Sequence, residues 1–372
     1  DADGTVGFSC TYSDSAGNAI TTAITSLSAG SAITIDNTHP TSSAVTIAVN
    51  NDGNANHGDT VTLTLDPSET VGTPTCTWTT SGAGALADTT VTYGTTGDDS
   101  HTAAVTIDNA DADGTVGFSC TYSDSAGNAL ASAITAITSG SAITIDNTHP
   151  SISNVVADWG AYLNAAEDNS DGTITVTTSG VEDGETVTIT GNGDFPTDTC
   201  SVSSNSCAAT IAAADLQGLA SGTTYTITVN VNDEAGNAAT ADTGDTFIYD
   251  NVNPSIGIST VATDGYVNDD EDASFTITGT SVGAVGQNVV VTYGGVTDAD
   301  TITVAGDGTW SATFCDDEDC ASISDGLIAV TANVDDAAGN SATQASTNAI
   351  QDTSDPTTSV TINTFSADTG SS

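Results

Sequence analysis

The sequence predicts an all-β chain, built as a linear series of two-sheet β-sandwiches. Three observations carry this expectation. The composition is that of strands and turns: Thr, Val, Ile, Gly, Asn and Asp dominate, Leu occurs 9 times, and Met, Lys and Arg never occur. Most strong helix formers are therefore missing. Apolar residues alternate with period two, as on a half-buried strand. Val116, Phe118, Cys120 and Tyr122 make one such set, Tyr225, Ile227, Val229 and Val231 a second, and Ile328, Val330, Ala332 and Val334 a third. Finally, the chain repeats itself.

The repeat sets the domain organisation. Residues 1–19 and 111–129 are identical, and the phrase ending at Pro40 recurs, nearly unchanged, ending at Pro150. Asp-x-Ala-Gly-Asn occurs at Asp14, Asp124, Asp233 and Asp336. Each copy is followed by a short Asp-x-x-x-Pro linker, from Asp36, Asp146, Asp250 and Asp352. The linker prolines stand at 40, 150, 254 and 356. The expected domains are 41–150, 151–254 and 255–356, with the C-terminal part of another in 1–40 and the start of a further one in 357–372. The chain starts and stops in mid-pattern, as a piece of something longer would. Proline in such short linkers favours stiffness.

Within 41–150 the alternation predicts strands near 44–49, 60–65, 73–79, 89–93, 103–108, 115–122 and 141–145. Seven short strands separated by turns, in about 100 residues, is the pattern of an Ig-like sandwich.

Charge excludes whole classes of function. The chain has 49 acidic residues and no Lys or Arg, a formal charge of −49 with His neutral. Nucleic acid and anionic membrane surfaces require Lys or Arg. Phosphoryl transfer loses its usual Lys and Arg cations, and Schiff-base chemistry its Lys amine. No apolar run approaches the ~18 residues of a membrane span. Disorder is disfavoured, because hydrophobic residues make up 37% and fall in patterned runs. Isopeptide cross-links and pilin-type linkage also need a Lys amine. Asn253-Pro254-Ser255 is blocked as an N-glycosylation acceptor. Without Lys or Arg the chain offers trypsin-like proteases no cleavage site.

These phrases also resemble a known family. DGYVNDDEDASFTITGTS, GDGTWSAT, VTANVDDAAGN and QDTSDP, in order between Asp264 and Pro356, are similar to the bacterial Ig-like repeat of giant cell-surface adhesins and biofilm-associated proteins. LNAAED, GVEDGETVTIT, TYTITVNVNDEAGN and YDNVNP extend the resemblance over 163–254. The 110-residue repeat keeps mainly SDSAGN and the linker. The resemblance implies extracellular extender modules with calcium between domains.

Seven cysteines sort by domain. Cys76 and Cys120 lie on strands that are neighbours in an Ig sandwich. Cys200 pairs with Cys207 across a Ser/Asn turn, and Cys315 with Cys320 across an acidic one. Cys10 is the repeat equivalent of Cys120, and its partner would lie upstream. An even number per domain points to disulfides and an oxidising compartment. Zinc is disfavoured, since no domain supplies four Cys or His ligands.

The topology of a sandwich says where recurring acids meet. The first loop of one domain, the outgoing linker, and the Asp-x-Ala-Gly-Asn loop of the next domain converge on one junction. At Pro254 this gathers Glu167, Asp168 and Asp171 with Asp250 and Asp336. At Pro150 it gathers Asp52 and Asp59 with Asp146 and Asp233, and Asp111 and Asp113 can join from another loop. At Pro356 it offers Asp264, Asp270, Glu271 and Asp352, and at Pro40 Asp36 and Asp124. Carboxylates so crowded repel one another unless a cation sits among them. Oxygen ligands spread over two domains suit Ca2+ better than Mg2+. The competing reading gives these residues ordinary turn roles. Residues 109–114 resemble the start of an EF-hand loop, but Cys120 stands where the bidentate Glu belongs.

Catalytic readings are weak. No nucleophile-elbow sequence accompanies His39, His57, His101 or His149, and no aromatic cleft frames a carboxylate pair. Trp78, Trp159 and Trp310 fall one per domain, as core residues would. The expected function is a non-enzymatic extracellular stalk at the cell surface, stiffened by calcium and disulfides. Its partners would be neighbouring Ig-like domains of the same chain. The alternatives are a subunit of a polymeric surface filament or sheath, and a carbohydrate-binding module using exposed Trp.

Overall fold

The computed structural model describes residues 1–50, 54–82, 84–96, 99–242, 245–316, 320 and 323–357. Three two-sheet sandwiches follow one another along the chain, each around its own hydrophobic core. Most of the expected further start, 358–372, lies outside the described residues.

In the first sandwich one sheet runs Ser42–Val49, Thr60–Pro67, Ser100–Thr106, Thr92–Thr96 in spatial order. The other runs Thr144–Ile145, Gly114–Thr121, Thr75–Thr80, Gly84–Ala85. Alternation decides which residues face inward. In Thr60–Pro67 Val61, Leu63 and Leu65 are buried; in Gly114–Thr121 Val116, Phe118 and Cys120 are. The strands expected near 89–93 and 103–108 are displaced to Thr92–Thr96 and Ser100–Thr106. They pair as a hairpin with Thr96 opposite Ser100, so pairing rather than apolar content sets their limits.

The second and third sandwiches share one plan. Their smaller sheets are Ser151–Ala157, Gly172–Ser179, Ser206–Ile211 and Ser255–Val261, Phe275–Val282, Thr309–Phe314. In each, the first strand is split. It leaves the small sheet, crosses, and continues as Tyr162–Asn164 or Tyr266–Asn268 in the large sheet. There it lies parallel to the last strand, Thr246–Asp250 or Ala345–Asp352. In the first sandwich the same place holds a single parallel bridge, Ala55 to Ile145.

Each core contains one buried tryptophan. Trp78, Trp159 and Trp310 are only 6%, 7% and 3% exposed, which removes the carbohydrate-binding use of exposed Trp. Trp310 packs closely on the neighbouring strand because Gly279 leaves room: a Cβ there would meet its ring at 2.2 Å. Tyr293, Phe275 and Phe314 form a second aromatic group in that core, with edge-on and stacked contacts.

Disulfides join Cys76 to Cys120, Cys200 to Cys207 and Cys315 to Cys320. Cys76 and Cys120 are direct cross-strand partners, with Cα atoms 4.1 Å apart. Cys10 is free and exposed. Residues 1–40 carry one short strand pair, Gly4–Thr5 with Thr34–Ile35. Val6 and Tyr12 are exposed there, whereas their repeat equivalents Val116 and Tyr122 are buried. Among the described residues no helix is long and apolar enough to cross a membrane.

Candidate metal centre at the junctions

The Asp-x-Ala-Gly-Asn loop is a self-contained knot of hydrogen bonds. Asp233 Oδ1 accepts from the Asn237 N–H at 2.8 Å, and Oδ2 from Asn237 Nδ2 at 2.9 Å. Asp233 N donates back to Asn237 O at 3.1 Å. The turn needs Gly236, whose φ of 91° is costly for other residues. The same bonds recur at Asp14, Asp124 and Asp336. Asp124, Asp233 and Asp336 are buried, so their carboxylates depend on these donors.

The asparagine's second Nδ2 proton leaves the loop and crosses the junction. It donates to the main-chain carbonyl of the preceding linker Asp: Asn128 to Asp36 O at 3.0 Å, Asn237 to Asp146 O at 2.9 Å, Asn340 to Asp250 O at 2.8 Å. The linker Asp side chain accepts from the N–H two residues on, at Thr38, Thr148, Val252 and Ser354. This is the turn role of Asp. At two junctions the linker histidine adds a tie. His39 Nδ1 lies 2.7 Å from Ala129 O and His149 Nδ1 2.9 Å from Ala238 O. Against a carbonyl, Nδ1 is the protonated nitrogen.

At the Pro40 junction Asp36, Glu69 and Asp124 each bring a carboxylate oxygen within 4.8 Å of the others. Burial, then the charges of Asp36, Asp124 and Asp3, push the Glu69 carboxyl above its ordinary range. Burial acts upward on Asp124, but its hydrogen bonds from Asn128, Gly127 and Ala126 together outweigh it and hold the carboxyl below the usual value. At the Pro150 junction burial pushes Asp146 upward; the Thr148 N–H opposes this, and Asp233, Asp113 and Glu182 add to it. Glu182 also accepts from the Glu234 N–H, and Asp113 from the Asn147 N–H. Both junctions thus place four carboxylates within electrostatic reach of each other. At Pro40 the oxygen-only donors Asp36, Glu69 and Asp124 come from separate segments and lie close enough to share a hard divalent cation such as Ca2+; at Pro150 the four carboxylates are coupled through their charges.

The structure places the other candidate ligands unevenly. Asp59, Glu167 and Glu271 each cap their own first loop, accepting from the N–H of Asn56, Asn164 and Asn268. Asp168 turns inward and accepts from the Tyr249 hydroxyl at 2.7 Å. Asp171 caps the Ala213 N–H at the start of a four-residue helix. Asp264 accepts from the Tyr266 N–H, while the Asp270 N–H donates to Asn268. Asp352 is exposed at the downstream linker. Asp52 lies outside the described residues. Asp111 is buried within the first sandwich, taking the N–H groups of Ala87 and Asp108. Sequence reasoning missed Asp3, Glu69 and Glu182. Glu69 and Glu182 share no phrase, and only the packing of a later loop against the linker brings them there.

No protein-family model matches the sequence, and no curated protein matches it. Solved structures do align with it. A Ca2+-stabilised, ice-binding adhesin of an Antarctic bacterium is 24% identical, with a TM-score of 0.37, covering 92% of this chain and 81% of that one. A tetra-tandem repeat from the extending region of a large adhesion protein is 20% identical, with a TM-score of 0.35, covering 95% and 82%. Fibronectin(III)-like modules of Clostridium thermocellum CbhA are 15% identical, with a TM-score of 0.34, covering 53% and 95%.

Proposed function

We propose that this chain is a non-enzymatic stalk segment of an extracellular, cell-surface adhesin, whose Pro40 and Pro150 junctions bind calcium. The observation that carries this reading is the recurrence of one junction. At three successive linkers the loop asparagine of one sandwich, Asn128, Asn237 or Asn340, holds the carbonyl of the linker before it. The same tie therefore joins each sandwich to the linker before it, as in a chain of modules placed in series. Asp36, Glu69 and Asp124 would hold the ion at one junction; Asp113, Asp146, Glu182 and Asp233 at the next. The ion supplies the positive charge that a chain without Lys or Arg cannot. Three disulfides suit an oxidising exterior.

Small-angle scattering of the full chain tests this. Millimolar calcium should give a longer, narrower distance distribution than chelator. Identical profiles would remove calcium from the account. Electron microscopy should show single beaded threads; ordered lateral bundles would instead identify a filament subunit.

A further inference from the structure

The junction at Pro254 carries a second tie besides the bond to the linker carbonyl. Asn164 and Asp250 are register partners on parallel strands, so the first loop of the second sandwich and its outgoing linker end side by side. Asn340 of the third sandwich spans both. Its Oδ1 accepts from the Ala165 N–H at 2.9 Å, and its Nδ2 donates to Asp250 O at 2.8 Å and Asp336 Oδ2 at 3.0 Å. Beside it, Asn164 Nδ2 donates to Ala338 O at 3.0 Å. The Asn164 amide is already oriented, because its Oδ1 accepts from the N–H groups of Ala166 and Glu167. Asn340 is 4% exposed, so these bonds are shielded from competing water.

The charge around this junction also differs. The second sandwich presents Glu182 two residues after Gly180, which packs on Pro150; the third presents exposed Val285 two residues after Gly283, which packs on Pro254. The linker N–H that meets Asp113 at the Pro150 junction is Asn147; at Pro254 the corresponding Asn251 N–H meets the neutral Ser221 hydroxyl. Two carboxylates are thereby replaced by uncharged groups.

We infer that Asn340 is a direct latch between the second and third sandwiches, holding the Pro254 junction in register with no bound ion. The latch joins three segments through one fully used amide. It stands independently of the calcium reading of the other junctions.

Amide exchange of the full chain, followed by NMR in chelator, tests it. The Ala165 N–H has its partner in the other sandwich, so its exchange reports the junction rather than either fold. In the unmodified chain Ala165 should exchange at least tenfold more slowly than an unprotected amide. Asn340→Ala should abolish that protection, while the strands Thr223–Asn230 and Gly326–Val334 keep theirs. An unprotected Ala165 in the unmodified chain, or protection that survives Asn340→Ala, would overturn the latch. Should the substitution unfold the third sandwich, the unmodified chain in chelator still decides. Calcium added to the same sample reads the Pro40 and Pro150 junctions separately, so either idea can fail without the other.

Discussion

Tyr249 donates its phenolic proton to the buried Oδ2 of Asp168 at 2.7 Å, fastening the last strand of the second sandwich to the turn Glu167–Asn169. The same oxygen of Tyr249 accepts from Asn251 Nδ2 at 2.8 Å. Replacing Tyr249 by Phe strands a buried carboxylate, and we expect a loss of about 2 kcal/mol from the second sandwich. Amide exchange in urea, read on Thr223–Asn230, measures it.

The tyrosines also set an alkaline limit. Burial, reinforced by Asp168, pushes Tyr249 up to about 12, and burial alone pushes Tyr293 up to about 12. Unfolded, both would ionise near ~10. The folded chain therefore holds its protons more tightly, and stability is full below pH 10 and falls as pH rises toward 12. Thermal melting across that window should show the decline. Tyr249→Phe should reduce its slope in the second sandwich only.

The disulfides should contribute unequally. Cys76 and Cys120 are 44 residues apart, against 7 and 5 for the other pairs. Loop-closure entropy assigns about 4 kcal/mol to the first and about 2 kcal/mol to each of the others. Cys76→Ser with Cys120→Ser should therefore lower the urea midpoint of its sandwich more than either short-loop double substitution does.

Gly279→Ala places a methyl group against the Trp310 ring and the Gly257 carbonyl, at 2.2 Å and 2.1 Å. Overpacking of this kind costs about 1–3 kcal/mol. Urea denaturation followed by Trp310 emission, in a chain with the other two tryptophans replaced by Phe, should register it.

Glu69→Gln separates repulsion from binding. Glu69 is raised by burial and by its acidic neighbours, so its folded form takes up a proton readily. In chelator, the Pro40 junction should gain order as pH falls through the carboxylate range, and Glu69→Gln should mimic that gain at neutral pH. The same substitution should weaken calcium binding there about tenfold or more. Calorimetric titration against the unmodified chain is the measurement.

The strands and their inward faces were legible because alternation is a local property: the sets from Val116 to Tyr122 and from Ile328 to Val334 are all buried. The meeting of Asp36, Asp146 and Asp250 with the loops of Asp124, Asp233 and Asp336 was legible for another reason. Repetition marks both partners, and sandwich topology brings their ends together. Glu69 and Glu182 were hidden because, among 49 acids, a singular one gives no signal. Asp168 and Asp171 looked like their neighbour Glu167 in sequence. Only the inward turn toward Tyr249 and the start of a short helix separate them. The sheet-switching first strand was also illegible, since its second half, Tyr162–Asn164 or Tyr266–Asn268, is only 3 residues long and too short for alternation to mark.

That split strand has a mechanical meaning. Tyr162–Asn164 is reached from the incoming chain through Ser151–Ala157, and the parallel Thr246–Asp250 leads into the outgoing one. Tension along the chain pulls the two strands past each other in opposite directions. Their hydrogen bonds are then loaded together in shear, rather than opened one at a time. Tyr266–Asn268 with Ala345–Asp352 repeats the arrangement. The second and third sandwiches are thus wired to resist a pull on their ends most strongly beside the outgoing linker.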